Sequence, residues 1–123
     1  MKWIYLVVGG SLGTVLRYVI TNAVQCRLGF NFPYGTLVVN SLGCFLAGIF
    51  MVMIDKKFSA NPDLKLFLMV GVLGAFTTFS TFIIDSADLI YKGRSMAGFI
   101  NIVGSVLLGY IFLLIGMQVS KFQ

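Results

Sequence analysis

Histidine is absent from the chain, and with it go the usual zinc ligand and the usual proton shuttle. Charge is scarce too: 11% of the residues, against roughly 25% in a soluble domain. No nucleophile stands beside a base, and no glycine-rich run ends in the Gly-Lys of a phosphate-binding loop. Neither an enzyme nor an ATP-driven pump is therefore expected, and nothing points to a nucleic-acid partner. Cysteine occurs only at Cys26 and Cys44, which read as small apolar fillers and not as a disulfide or metal pair.

What the chain has in quantity is apolar sequence, 59% of 123 residues. A bilayer-spanning helix needs about 20 mostly apolar residues. Four runs meet that length: 4–24, 34–54, 66–90 and 97–119. Arg17 is the one charge in the first, and Asp85 and Asp88 fall toward the end of the third. The expected fold is an all-α membrane protein, one four-helix transmembrane domain over 1–123. The connections are 26–33, 55–65 and 91–96. Pro62 precedes the third helix, with Asn61 or Asp63 capping it. A signal peptide is not expected at the N-terminus, because the apolar run is too long and no small-residue cleavage site ends it.

Orientation is nearly balanced. Lys2, Lys56, Lys57, Lys65 and Lys121 lie on one side; Arg27, Lys92 and Arg94 lie on the other, joined by Arg17 if it snorkels there. Lys/Arg bias orients membrane proteins, and here it is five against three or four. A single topology and dual topology both remain open on charge alone. Four helices are few for a private aqueous path, so a transport protein of this size is expected to oligomerise. For copies inserted both ways, the simplest closed assembly is a two-fold dimer.

Polar groups inside a membrane are costly and face protein or water. At about 100° per residue they gather into stripes. Gly10, Gly13, Thr14, Arg17 and Thr21 share a face of the first helix, where Gly9 and Gly13 also form a GxxxG. Thr36, Asn40, Gly43 and Ala47 share one on the second, and Asn101, Ser105 and Gly109 one on the fourth.

The third run holds "GAFTTFSTF", residues 74–82, with Thr78 at its centre and hence near the bilayer midplane. On a regular helix Phe79 and Phe82 fall within about 60° of each other, with Thr77, Ser80 and Thr81 roughly opposite. Gly71, Gly74 and the hydroxyl cluster are where the backbone ladder of a membrane helix can open. A third helix broken near the midplane would free carbonyl oxygens, and a bound cation is one way to satisfy them. A phenyl ring has a positive edge that can approach a desolvated anion. With the donors of Asn40, Ser80, Thr81 and Ser105, the rings of Phe79 and Phe82 can line an anion path that has no fixed positive charge.

Three blocks carry a resemblance: "GGSLGTVLRY" (9–18), "GTLVVNSLGCFLAG" (35–48) and "GVLGAFTTFSTF" (71–82). They resemble the signature blocks of the Fluc/CrcB fluoride channels, and the likeness spans essentially the whole chain. It implies an antiparallel, dual-topology homodimer in a prokaryotic plasma membrane, passing fluoride down its gradient through two pores. It implies pore-lining roles for Phe79 and Phe82, fluoride coordination by Asn40, and polar-track roles for Ser80 and Thr81. Asn101 and Ser105 are the fourth-helix counterparts of that track. It also implies a structural Na⁺ held by the main-chain carbonyls of Gly74 and Thr77 from both subunits, and a vestibule role for Arg17. The chain departs from the family pattern after the third block, where Ile83 and Asp85 replace a small polar residue and a glutamate. The alternatives are a proton-coupled small multidrug-type exporter, disfavoured because 4–24 lacks an acid, and a non-transporting assembly subunit.

Overall fold

The first helix runs beyond the apolar run that suggests it, because the helical hydrogen-bond ladder continues through residues whose polar ends can reach water. In the computed structural model, which describes residues 1–54 and 61–122, α1 is Lys2–Leu28 and α2 is Tyr34–Met53. The third span, α3, is the bent element Pro62–Tyr91, and α4 is Ser95–Lys121. The middle connection's residues 55–60, with Lys56 and Lys57 of the charge balance, lie outside the described residues. All four spans are long and apolar enough to cross a membrane. Trp3, Val15, Phe99 and Val106 stand exposed on their outer faces, a surface suited to hydrocarbon.

The start of α3 follows its local chemistry. Asn61 accepts a hydrogen bond from the Leu64 amide at 3.1 Å, and Pro62 occupies the first turn, where its missing N–H costs nothing. From Leu66 to Leu73 the helix widens to π-type turns, with the Gly74 amide reaching back to the Met69 carbonyl. It tightens again over Gly74–Phe76. Thr77 (φ −81°, ψ 156°) and Thr78 (φ −147°, ψ 118°) are extended, and α-helix resumes over Phe79–Tyr91. The bend divides α3 into a first limb before Thr77 and a second limb after Thr78.

Packing follows the small residues. α1 lies along the first limb of α3, and its two buried residues are Gly9 and Gly13. A methyl group at Gly9 would sit 2.8 Å from the Phe67 carbonyl oxygen, and one at Gly13 would collide with that of Val72. The GxxxG thus faces α3, as close backbone approach requires. α2 and α4 pack along each other's length; methyl groups at Gly48 or Gly116 would strike the carbonyls of Leu113 or Phe45. The second limb packs mainly on α4, touches α2 narrowly, and does not pack on α1.

Candidate functional site

The extended pair Thr77–Thr78 would leave polar backbone exposed in an apolar setting, a costly state unless partners are supplied. α2 supplies them. The Thr78 amide donates to Asn40 Oδ1 at 2.8 Å, and Asn40 Nδ2 donates to the Thr78 carbonyl at 2.9 Å. The side-chain amide of Asn40 acts here as a strand residue would, satisfying both backbone groups of one residue. The second limb then starts with its own cap, for Thr78 Oγ1 accepts from the Thr81 amide at 3.3 Å.

These bonds have a consequence for two carbonyls. In a continuous helix the Thr78 amide would close onto Gly74 and the Thr81 amide onto Thr77. Both amides are engaged elsewhere, so the Gly74 and Thr77 carbonyls lack those helical partners. Both residues line a groove of about 400 Å³ between α2 and α3, together with Asn40, Cys44, Ala47, Leu73 and Phe79. Neutral carbonyl oxygens are donors suited to a hard cation.

A second set of polar groups lies on the other side of the bend, in the gap between α1 and the second limb. One groove, about 260 Å³, is lined by Thr14, Arg17, Tyr18, Thr21, Asn22, Thr36, Thr78 and Thr81. Another, about 300 Å³, runs toward Asn31, Asp85, Asp88, Lys92 and Arg94. Thr21, Thr36 and Thr81 line both, so the two adjoin. Thr78 lines the first of them and also the α2–α3 groove, standing between the two sides of the bend.

The aromatic pair stands at the start of the second limb. The Phe79 and Phe82 rings are 5.7 Å apart, tilted at 52°. Phe79 is 75% exposed beside the α2–α3 groove, whereas Phe82 is 6% exposed. Ser80 is exposed, and Thr81 is exposed along the α1 side. The expectation that Thr77, Ser80 and Thr81 share one face does not hold, because two extended residues reset the helical phase. Thr77 belongs to the α2–α3 groove and Thr81 to the α1 side.

Asn101 is 2% exposed and donates through Nδ2 to Ser86 Oγ at 2.9 Å, while Ser105 lies 3.5 Å from Asn101 Oδ1. Asn101 turns its amide to the α3–α4 interface, Ser105 bonds only within α4, and neither lines the grooves above.

Sequence reasoning placed Thr36 on a polar face but missed its partner, and it missed Gln25 and Ser86 altogether. Thr36 donates to Asp85 Oδ2 at 2.7 Å, tying α2 to the second limb at a carboxylate that lines the polar gap. Gln25 donates to the Phe32 carbonyl at 2.8 Å and accepts from the Gly35 amide at 3.0 Å, holding the α1–α2 connection at the groove's end. Ser86 is the third. A serine at i+4 from Phe82 was the available signal for it; Gln25 bonds to loop backbone and left none.

Comparison with known proteins agrees over this whole framework. A family model described as "CrcB-like protein, Camphor Resistance (CrcB)" matches residues 4–117. A Dehalococcoides mccartyi protein named "Fluoride-specific ion channel FluC" is 48% identical over 116 residues, 94% of this chain and 89% of the relative. Proteins of the same name from Rhizobium johnstonii and Legionella pneumophila (strain Paris) are 42% and 41% identical, covering 92% and 98% of this chain and 90% of each relative. With four apolar spans, a polar bend at mid-span and a match over nearly its full length, the chain belongs to the CrcB-like family.

Proposed function

We propose that the protein is a fluoride channel that lets cytoplasmic fluoride leave passively, as an antiparallel homodimer. The observation that carries the reading is the bend itself. It sets a pair of phenyl rings at mid-span, with Phe79 lining the α2–α3 groove and the hydroxyls of Thr78 and Thr81 lining the groove on the α1 side, in a chain whose relatives are named fluoride-specific channels. Phenyl edges, hydroxyls and the second N–H of Asn40 form a weak-field anion path. Such a path binds a stripped anion loosely enough to release it. Arg17, half-buried at the α1 side, adds positive potential at the entrance. Outside acid converts fluoride to neutral HF, which crosses the bilayer and dissociates within; the channel drains the trapped ion.

The dimer reading rests on surface and charge. Phe79 is mostly exposed on one copy, beside an open groove lined by Gly74 and Thr77. A second copy, inverted about an axis in the membrane plane, covers that face. The near-even Lys/Arg distribution tolerates both insertions. The Gly74 and Thr77 carbonyls, two from each subunit, would hold a structural Na⁺ at the centre of the dimer. That ion supplies fixed positive charge where two helix bends meet. Bacterial inner membrane is the setting this chemistry fits.

The test is efflux from liposomes containing the purified protein alone, read with a fluoride-selective electrode. Rapid fluoride release with negligible chloride release is expected. Silence under conditions where the protein is intact would favour an assembly subunit, and release only on proton exchange would favour a coupled exporter.

A further inference from the structure

The second limb of α3 carries Phe79, Phe82 and Thr81, yet little in the backbone dictates where it points. Two extended residues separate it from the first limb, so its direction is not inherited through a continuous helical ladder. It does not pack on α1 and meets α2 narrowly. Its support is α4, and at the centre of that contact lie Ser86 and Asn101, each only 2% exposed. Asn101 Nδ2 donates to Ser86 Oγ at 2.9 Å, and Ser86 Oγ donates to the Phe82 carbonyl at 2.8 Å. The chain of bonds therefore ends on the backbone of Phe82. α4 can come this close because residue 98 is glycine: a methyl group there would stand 3.0 Å from the Ser86 carbonyl oxygen.

We propose that Ser86 and Asn101 form a buried pin that orients the second limb, fixing the Phe82 ring and through it the selectivity of the adjoining path. Both are positioning residues. Their polar atoms bond to each other, to the Phe82 carbonyl and to Ser105, and neither residue lines the grooves. The proposal builds on the channel reading above. Apolar packing alone lets a helix rotate and slide; a hydrogen bond between two buried groups fixes a register, because leaving either unpaired in an apolar interface is costly. The neighbouring residue, half-buried Asp85, is tied to α2, accepting from Thr36 at 2.7 Å. The limb is thus held between α2 and α4 by two successive side chains.

The test compares Ser86→Ala with the double variant Ser86→Ala/Asn101→Leu. Replacing both partners by apolar groups is nearly neutral for stability, so the double variant is expected to fold while lacking the directional bond. Two readouts are taken on each. One is the ratio of fluoride to chloride efflux from liposomes. The other is the ¹⁹F resonance of protein in which Phe82 is replaced by 4-fluorophenylalanine. Both variants are expected to lose about tenfold in the ratio, as the loss of one buried hydrogen bond allows, and to shift or split the resonance. A folded double variant that keeps either the wild-type ratio or the wild-type resonance overturns the proposal. Unmutated protein that passes no fluoride would instead sink the channel reading, and the resonance would still decide whether the pin orients Phe82.

Discussion

Asn40 on α2 holds both backbone groups of Thr78, at 2.8 and 2.9 Å, in the middle of the third span. One carboxamide satisfies both backbone groups of an extended residue at mid-span. Substituting it therefore tests structure and conduction together. Asn40→Asp keeps the acceptor for the Thr78 amide but turns a carboxylate oxygen toward the Thr78 carbonyl, and it adds negative charge to the path. Fluoride efflux is expected to fall by tenfold or more. Asn40→Leu removes both bonds, and a loss of about 1–3 kcal/mol in stability is expected from two part-buried hydrogen bonds. Thermal unfolding in detergent, run beside efflux assays, checks both; unchanged melting of Asn40→Leu would show that Thr78 does not depend on it.

The two phenylalanines are expected to separate by exposure. Phe79 is 75% exposed and Phe82 6% exposed on a single copy. Phe79→Ile is expected to leave the fold of each subunit intact, whereas Phe82→Ile costs roughly 1–2 kcal/mol through repacking. Efflux is expected to drop strongly in both, because each loses an aromatic edge. Full flux in both variants would reduce the rings to packing.

Sodium is expected to matter through main-chain oxygens. Prolonged dialysis of the protein into buffer whose only cation is N-methylglucamine should lower subsequent fluoride efflux and weaken the dimer on size exclusion, with recovery on adding Na⁺. A dimer and a flux indifferent to sodium would remove the ion from the centre of the assembly.

Proton coupling is not expected. Asp85, the carboxylate nearer the bend of the two that line the polar gap, has its Oδ2 engaged by Thr36. Fluoride efflux followed with a pH-sensitive dye should show no proton movement in step with the ion. A fixed stoichiometry of the two would overturn the passive mechanism.

The α2–α4 seam predicts a pure stability effect. Gly48→Val or Gly116→Val places side-chain atoms against backbone that cannot move aside, and a loss of about 1–3 kcal/mol or failure to assemble is expected. Wild-type thermal stability in either variant would mean the seam is looser than its backbone contacts indicate.

The bland features were the legible ones. Apolar run length and scarce charge are local properties, so four spans, their order and the mid-span position of 74–82 follow from the chain as written. So does the burial of Gly9 and Gly13, because small residues one helical turn apart leave only one efficient way to pack. Hydrogen-bond partnership is different. Asn40 and Thr78 are 38 residues apart, and Thr36 and Asp85 are 49 apart. Periodicity puts a polar group on a face but cannot say which distant group will use it. The helical phase of α3 also holds only while the backbone stays helical. Two extended residues sent Thr77 and Thr81 to different grooves, and the packing of α4 on the second limb turned Asn101 to Ser86. Composition and periodicity determined the solvent and the spans; tertiary contacts decided which donors are already spent and which are left facing the path.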